Sequence, residues 1–458
     1  MSGTTYEPGR TSDCTVMTSP NQNVELQFIA SKHLDRHLIW KLIALGSLQS
    51  VIFATIVLIG DLRNAIPQFL AMYFVAFLIY LLAVGQILRA GSAIDPRLLW
   101  IIVLFGVAYR AAMLFSEPSL SDDIYRYVWD GRVLNYGINP YRYAPSAVEL
   151  APLRDSLYTQ INNRDVGTPY APLTLAAFAL FQRVGDSVIV FKLGFIIADC
   201  LIMLVLLRLF ERTDTPRVNL LVYVWNPLVV VEIAGSGHSD PLTVLLLLVA
   251  VHAAMAKRPW TAVGLTLAML GKYFAIAVVP LFGKHFKGNT WIIIPVGVVA
   301  AFAAFSPSVE NHVLSLATVF QHWRFNDSLF ALVYWCTDSL PVTRFVVVAS
   351  FLALVVRVLR LDWPLPRAVM TVLGGMFLLT STFEPWYLLW IVPFLCLYPN
   401  RAWLLLTGLI MLSYEVLIRF NSDGLWAENP WIGFAIFVPF FALLAGDAAA
   451  RALLRSPA

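Results

Sequence analysis

Two adjacent acids, Asp122 and Asp123, open the segment SDDIYRYVWDGRVLNYGINPYRY, which is dense in Asp, Arg, Tyr and Asn and follows an apolar run. A carboxylate held among aromatic rings near a membrane surface is desolvated and suited to work as a general base. The same pair also suits a helix beginning at Ile124, because Ser and Asp side chains cap free amides at helix N-termini. Both readings can hold, since a cap residue and its neighbour point in different directions. On that helix Asp123, Arg126, Tyr127 and Asp130 recur at i, i+3, i+4 and i+7 and share one face. Asp122 is then the preferred base, because Asp123 can engage Arg126 and Tyr127.

Cations and rings elsewhere could complete such a site. Arg126 reads either as a partner of a helix acid or as a grip on a phosphate, to which a guanidinium is well matched. Arg132, His322, Arg324, Lys272 and Arg419 are the other phosphate candidates, and Arg324 in QHWRFNDS is preferred. Lys272 stands within an apolar segment, where an ammonium is costly and marks a functional hypothesis; it could also snorkel or pair with an acid. Asn139, Tyr141, Tyr170 and Tyr387, with Tyr127, offer ring faces and hydrogen-bonding groups for a sugar. Such rings also form a membrane-interface belt, but a belt does not account for two acids and two arginines. His238 and Asp240 sit where a helix begins, and Asp240-Pro241 is also an ordinary first-turn pattern. Glu384 lies between Phe383 and Pro385. Lys192 and Asp199, seven apart on one helix, read as structural pairing with a neighbour's charge.

The elements that must position these residues are membrane helices. The chain has 458 residues, of which 59% are hydrophobic and 13% charged, and its mean hydropathy is +0.73. Soluble domains carry roughly 25% charged residues. Continuous apolar windows of about 20 residues are long enough to cross a bilayer as helices. The expected fold is therefore an all-α polytopic membrane protein with about 12 to 13 transmembrane helices. Residues 170–184 read as an interfacial or half-buried helix, and 259–283, interrupted at GKY, as one span or a re-entrant pair of half-helices. The net charge of +4 suggests no nucleic acid. Cys14, Cys200, Cys336 and Cys396 lack metal-like spacing and do not suggest a disulfide framework. Residues 1–37 read as a disordered cytoplasmic tail with no cleavable signal peptide, and 38–458 as a single transmembrane domain.

Lys and Arg order the topology. Lys32, Arg36 and Lys41, then Arg89 and Arg97, Arg208, Arg212 and Arg217, Lys257 and Arg258, Lys284 and Lys287, Arg357 and Arg360, and Arg401 all fall on one side. With those cytoplasmic, a first large loop (117–186), 235–240, 308–340, 381–387 and 419–429 gather on the outer face. The expected localisation is thus an integral membrane protein with its N-terminus cytoplasmic and its site on the outer face.

The ordered segments SDDIYRYVWDGRVLNYGINPY, YAPLTLAAFAL, WNPLVVVEIAGSGHSDPLTVLLLLVA, LGKYFAIAVVPLF, FNDSLF and FEPWYLLWIVPF resemble those of the GT-C superfamily of polyprenol-phosphate-sugar-dependent glycosyltransferases. The likeness covers most of 98–395 and is greatest to glycosyltransferase family 87 and bacterial α-mannosyltransferases. It implies a GT-C-like fold and an inverting transfer of a sugar, mannose by the likeness, from a polyprenyl-phosphate donor to a glycan or glycolipid acceptor. Asp122 or Asp123 matches the acidic motif whose carboxylate deprotonates the acceptor hydroxyl. In that family the motif follows the first span, whereas here it follows a third. No cofactor is required on this reading; a divalent cation is possible because paired acids can bind one, and no metal ligands are assigned. The alternatives are a lipid-linked oligosaccharide transporter or flippase, or an O-antigen ligase or polymerase. The first would favour midplane charges and internal symmetry, and the second a later large loop.

Overall fold

The computed structural model describes residues 20–90 and 96–453. The membrane helices begin with α1 (Pro20–Ile59), α2 (Ile66–Ala90) and α3 (Arg97–Met113). The loop helices α4 (Asp123–Asn135) and α5 (Pro172–Val184) precede α6 (Val188–Thr213), the short α7 (Leu221–Val224) and α8 (Pro227–Val230), α9 (Asp240–Met255) and α10 (Thr261–Gly271). Then come α11 (Ile293–Ala303), α12 (Val309–His322), α13 (Leu329–Thr337), α14 (Leu340–Leu359), α15 (Leu365–Leu379), α16 (Val392–Leu395), α17 (Arg401–Leu409), α18 (Val416–Asp423) and α19 (Pro430–Leu453). Apart from helices and turns, the described residues hold a single parallel bridge, Phe325 to Thr382.

The expected all-α polytopic architecture is present, with fewer unbroken spans than hydropathy suggested. Six helices are long and apolar enough to cross a membrane, or seven if the bent pair Arg217–Val224 and Pro227–Gly235 is one span. The tail expected through residue 37 is helical from Pro20 onward, and residues 1–19 lie outside the described residues. Hydropathy counts apolar side chains and is blind to the hydrogen bonds that interrupt a helix. The apolar run 386–398, for instance, is a 3-10 turn at Pro385–Trp390 followed by the single turn of α16.

The bend after α7 has a local cause. Pro227 has no amide to donate, so the preceding carbonyls lose helical partners. The Gln49 amide donates to Trp225 O at 2.9 Å, and Arg110 donates to Val224 O at 2.8 Å. Arg110 itself is buried against Asp199, which also accepts from the Tyr223 hydroxyl at 2.6 Å. Asp199 is therefore paired structurally, as expected. Lys192 caps the end of α3 through the carbonyls of Met113 (3.2 Å) and Ser116 (2.8 Å).

Beyond α8 the chain makes one π-helical turn, Val231–Gly235, then reverses at Gly237 with φ +77° into α9. The second interruption is at Lys272, which is extended (φ −152°, ψ 135°) between α10 and a 3-10 segment, Tyr273–His285. His285 returns to hydrogen-bond the backbone of Ala254, near where α10 began, which is the re-entrant arrangement. Gly271 is required at its tip, because a Cβ there would lie 2.4 Å from Thr243 Oγ1.

The loop 117–186 folds as a plate. Helix α5 is the half-buried helix expected at 170–184, and it packs on α4 so closely that a Cβ on Gly131 would meet the Phe178 carbonyl at 2.5 Å. In lipid such close approach, with hydrogen bonds, replaces the hydrophobic drive of soluble proteins.

Candidate functional site

Four interruptions converge on one recess: the start of α4, the π turn leading to α9, the break after α10, and the 3-10 turn at Pro385. At the first of these, Asp122 and Asp123 diverge. Asp122 is the N-cap residue of α4 and forms an ion pair with Arg63 of the 62–65 turn. Asp123 turns into the recess with 30% of its side chain exposed. Its Oδ2 lies 3.5 Å from the Tyr127 hydroxyl and 3.9 Å from His238 Nδ1. Burial pushes the Asp123 carboxyl above the usual carboxylate range; His238 and Lys272 pull it down, and Asp122 and Asp240 add to the rise. The expected Asp123–Arg126 contact does not form, because Arg126 pairs with Asp130 at 2.9 Å.

Asp240 opens α9 and binds two donors on one oxygen: Lys272 Nζ and Trp390 Nε1, each at 2.7 Å from Oδ1. Its Oδ2 has no hydrogen-bond partner. Lys272, 27% exposed, also lies 5.1 Å from the Phe274 ring and 5.2 Å from that of Tyr387. The break at residue 272 thus sets an ammonium among ring faces with one acid holding it. His238 is fully buried and stacks on Trp386 at 3.9 Å between centroids. Glu384 faces the same recess, and burial lifts its carboxyl well above the ordinary range, with Asp123, Glu232 and Glu428 adding to the rise and Lys272 opposing it. Glu384 is braced from behind: Phe325 and Phe383 exchange backbone bonds with the opposite segment (3.0 and 2.9 Å).

Several sequence-nominated residues hold the plate together rather than line the recess. Arg132 pairs with Asp155 (2.7 Å) and Asp186 (2.9 Å) and donates to Leu153 O. Arg126 also reaches Val166 O, Asn139 reaches Phe305 O at 2.7 Å, and the Tyr141 hydroxyl reaches Tyr170 O at 2.9 Å. Tyr170 is edge-on to Tyr127, behind Asp123. Arg324 is held by Asp327 (2.8 Å) beside the Tyr334 ring, next to Glu428. Arg419 is an exposed residue near Asp423. The side chain of His322 lies outside the described residues. Among the described residues no three His, Cys, Asp or Glu side chains are grouped so as to hold a metal ion.

Sequence reasoning passed over Glu232, Trp386, Tyr414 and Arg63. Glu232 had a signal, being a lone acid in the apolar run VVVEIAG. An acid at that depth marks a functional hypothesis by default.

A family model described as "Alpha-(1->6)-mannopyranosyltransferase, N-terminal domain" matches residues 42–287. The chain belongs to this family. Alpha-(1->6)-mannopyranosyltransferase A of Corynebacterium glutamicum is 29% identical over 152 residues, which are 32% of this chain and 30% of that protein. The similarity to that relative therefore spans less than a third of its length. No solved structure matches. Membership agrees with the resemblance to bacterial α-mannosyltransferases carried by the sequence motifs. The family segment includes Asp123, Glu232, His238, Asp240 and Lys272, whereas Glu384, Trp386 and Trp390 reach the recess from beyond it.

Proposed function

We propose that this membrane protein is an inverting glycosyltransferase that moves mannose from a polyprenyl-phosphate donor to a hydroxyl of a glycan or glycolipid at the outer membrane face. The observation that carries the reading is Asp123, turned into the recess and near enough to the Lys272–Asp240 ion pair to feel both charges. A lipid phosphate is already a good leaving group, so the reaction needs a base, a ring-faced cradle and a cation for the departing charge.

Asp123 is the proposed base rather than Asp122, which is tied to Arg63. It takes the proton of the acceptor hydroxyl as that oxygen attacks the anomeric carbon. The carbon–phosphate-oxygen bond breaks, and its electron pair leaves with the lipid phosphate toward Lys272. Tyr387 and Trp386 present ring faces for the sugar, and Glu384, which burial favours in its protonated form, can donate to a sugar hydroxyl. Family membership and the relative's name favour an α-(1→6) linkage. An α product from one displacement requires a β-configured donor. The steps draw on the chain's own groups, and a divalent cation is not assigned a part.

The outer-face placement follows from the Lys and Arg distribution. Purified protein, given radiolabelled polyprenyl-phosphate-mannose and an α-mannoside acceptor, is expected to yield an α-(1→6)-linked product. No transfer from any lipid-phosphate sugar would overturn the proposal.

A further inference from the structure

Glu232 is fully buried within an apolar neighbourhood, Val229 to Val231 and Ile233 to Ala234, and has no obvious part in the transfer itself. A buried carboxylate is expensive unless charge or hydrogen bonds compensate it. Its two oxygens accept from the Tyr414 hydroxyl at 3.0 and 3.1 Å, and its ionic contact is His238, with Nε2 3.3 Å from Oε2. The other ring nitrogen, Nδ1, faces Asp123 at 3.9 Å. Neither ring nitrogen has a hydrogen-bond partner; catalytic contacts often tighten only when substrate is bound.

The backbone is built for this juxtaposition. The π turn inserts an extra residue, a feature found mostly at functional sites. It is closed by Ser236 N to Val231 O at 2.7 Å, and the Glu232 carbonyl itself accepts from His238 N at 3.0 Å. Gly237, at positive φ, allows the ring to swing back over its own turn, where Trp386 clamps it face to face.

We infer that Glu232 is a positioning residue that acts on Asp123 through His238, holding the imidazole between the two carboxylates with Nδ1 aimed at the base. The inference rests on the proposed transfer with Asp123 as base. In each turnover the acceptor proton goes to Asp123, and neither His238 nor Glu232 gains or loses one. Without Glu232 the ring is no longer held at Asp123, and that carboxyl loses part of the help His238 gives it against burial.

The test is kcat, acceptor KM and the pH dependence of transfer by the purified full chain with polyprenyl-phosphate-mannose. Glu232→Gln is expected to lower kcat about 10- to 100-fold, leave acceptor KM within about twofold, and move the acid limb up by roughly one pH unit. Of the other groups facing Asp123, Asp122, Asp240, Lys272, Glu384, Tyr127, Tyr170 and Tyr387 are untouched by the change, and the Tyr414 hydroxyl can still donate to the Gln amide oxygen. Glu232→Gln added to His238→Gln is expected to move the limb no further than His238→Gln alone. If Glu232→Gln does not fold, Glu232→Asp carries the same comparison, because it withdraws the charge by one methylene. A limb that stays in place, or effects that add independently in the double variant, overturn the inference while the transfer reading stands. A wild-type protein that transfers no sugar overturns both.

Discussion

At the scale of single residues, the two neighbouring aspartates should behave very differently. Asp122 and Arg63 form a partly exposed pair, with side chains 23% and 25% accessible, and such pairs contribute about 1 kcal/mol or less. Asp122→Asn is therefore expected to keep transfer within about tenfold, whereas Asp123→Asn removes the proposed base and should cost on the order of 10²–10⁴ in kcat. The sign of the pH dependence follows from burial. Asp123 must be ionised to accept a proton, and burial lifts its pKa above the ordinary carboxylate range. Transfer should thus fall with decreasing pH through a limb above the one expected of a free aspartate. A kcat profile flat through that range, or a limb retained in Asp123→Asn, would assign the base elsewhere. The pair itself was legible in the sequence, but the choice within it was not. Helix spacing offered Arg126 both Asp123 and Asp130, and Arg126 takes Asp130, whereas the partner of Asp122, Arg63, comes from a distant turn.

At the scale of elements, the recess exists because helices break, and each break is held by side chains from other elements. The bend after α7 depends on Arg110, whose guanidinium is shared between Asp199 and the Val224 carbonyl. Both partners are essentially inaccessible, at 1% and 0%. Removing one leaves an uncompensated buried charge, so Asp199→Ala should destabilise the protein by roughly 3–5 kcal/mol, read as a lowered melting temperature in detergent. Replacing both by leucine should cost less than the single change, because no charge is then stranded. A single variant that melts with the wild type would show that the bend does not rely on this pair. The breaks were only partly legible. Gly271-Lys272 announced itself through residue type, whereas Asn226-Pro227 lay inside what reads as one apolar run. The π turn did not announce itself either, since VVVEIAG has the composition of a continuous helix and only the lone acid hinted otherwise. The same blindness inflated the expected number of spans.

At the scale of the whole molecule, the recess and the basic loops occupy opposite ends of the bundle. Asn421, at the end of α18, donates to Arg63 O at 2.6 Å, and Arg63 holds Asp122, so the 419–429 segment belongs to the recess end. Arg258 follows α9, whose N-terminus lies at the recess, and therefore marks the other end with Arg208, Arg212 and His252. Which end faces outward is a matter of charge, and the Lys and Arg clusters argue that theirs is cytoplasmic. Ser422 and Arg258 are both exposed and suited to reporters. In a background with the native cysteines replaced, Ser422→Cys should react with a membrane-impermeant maleimide on intact cells. Arg258→Cys should react only after permeabilisation. The reverse pattern would put Asp123 on the cytoplasmic side. The donor would then have to be drawn from the inner leaflet, and the acceptor could not be a glycan already exported.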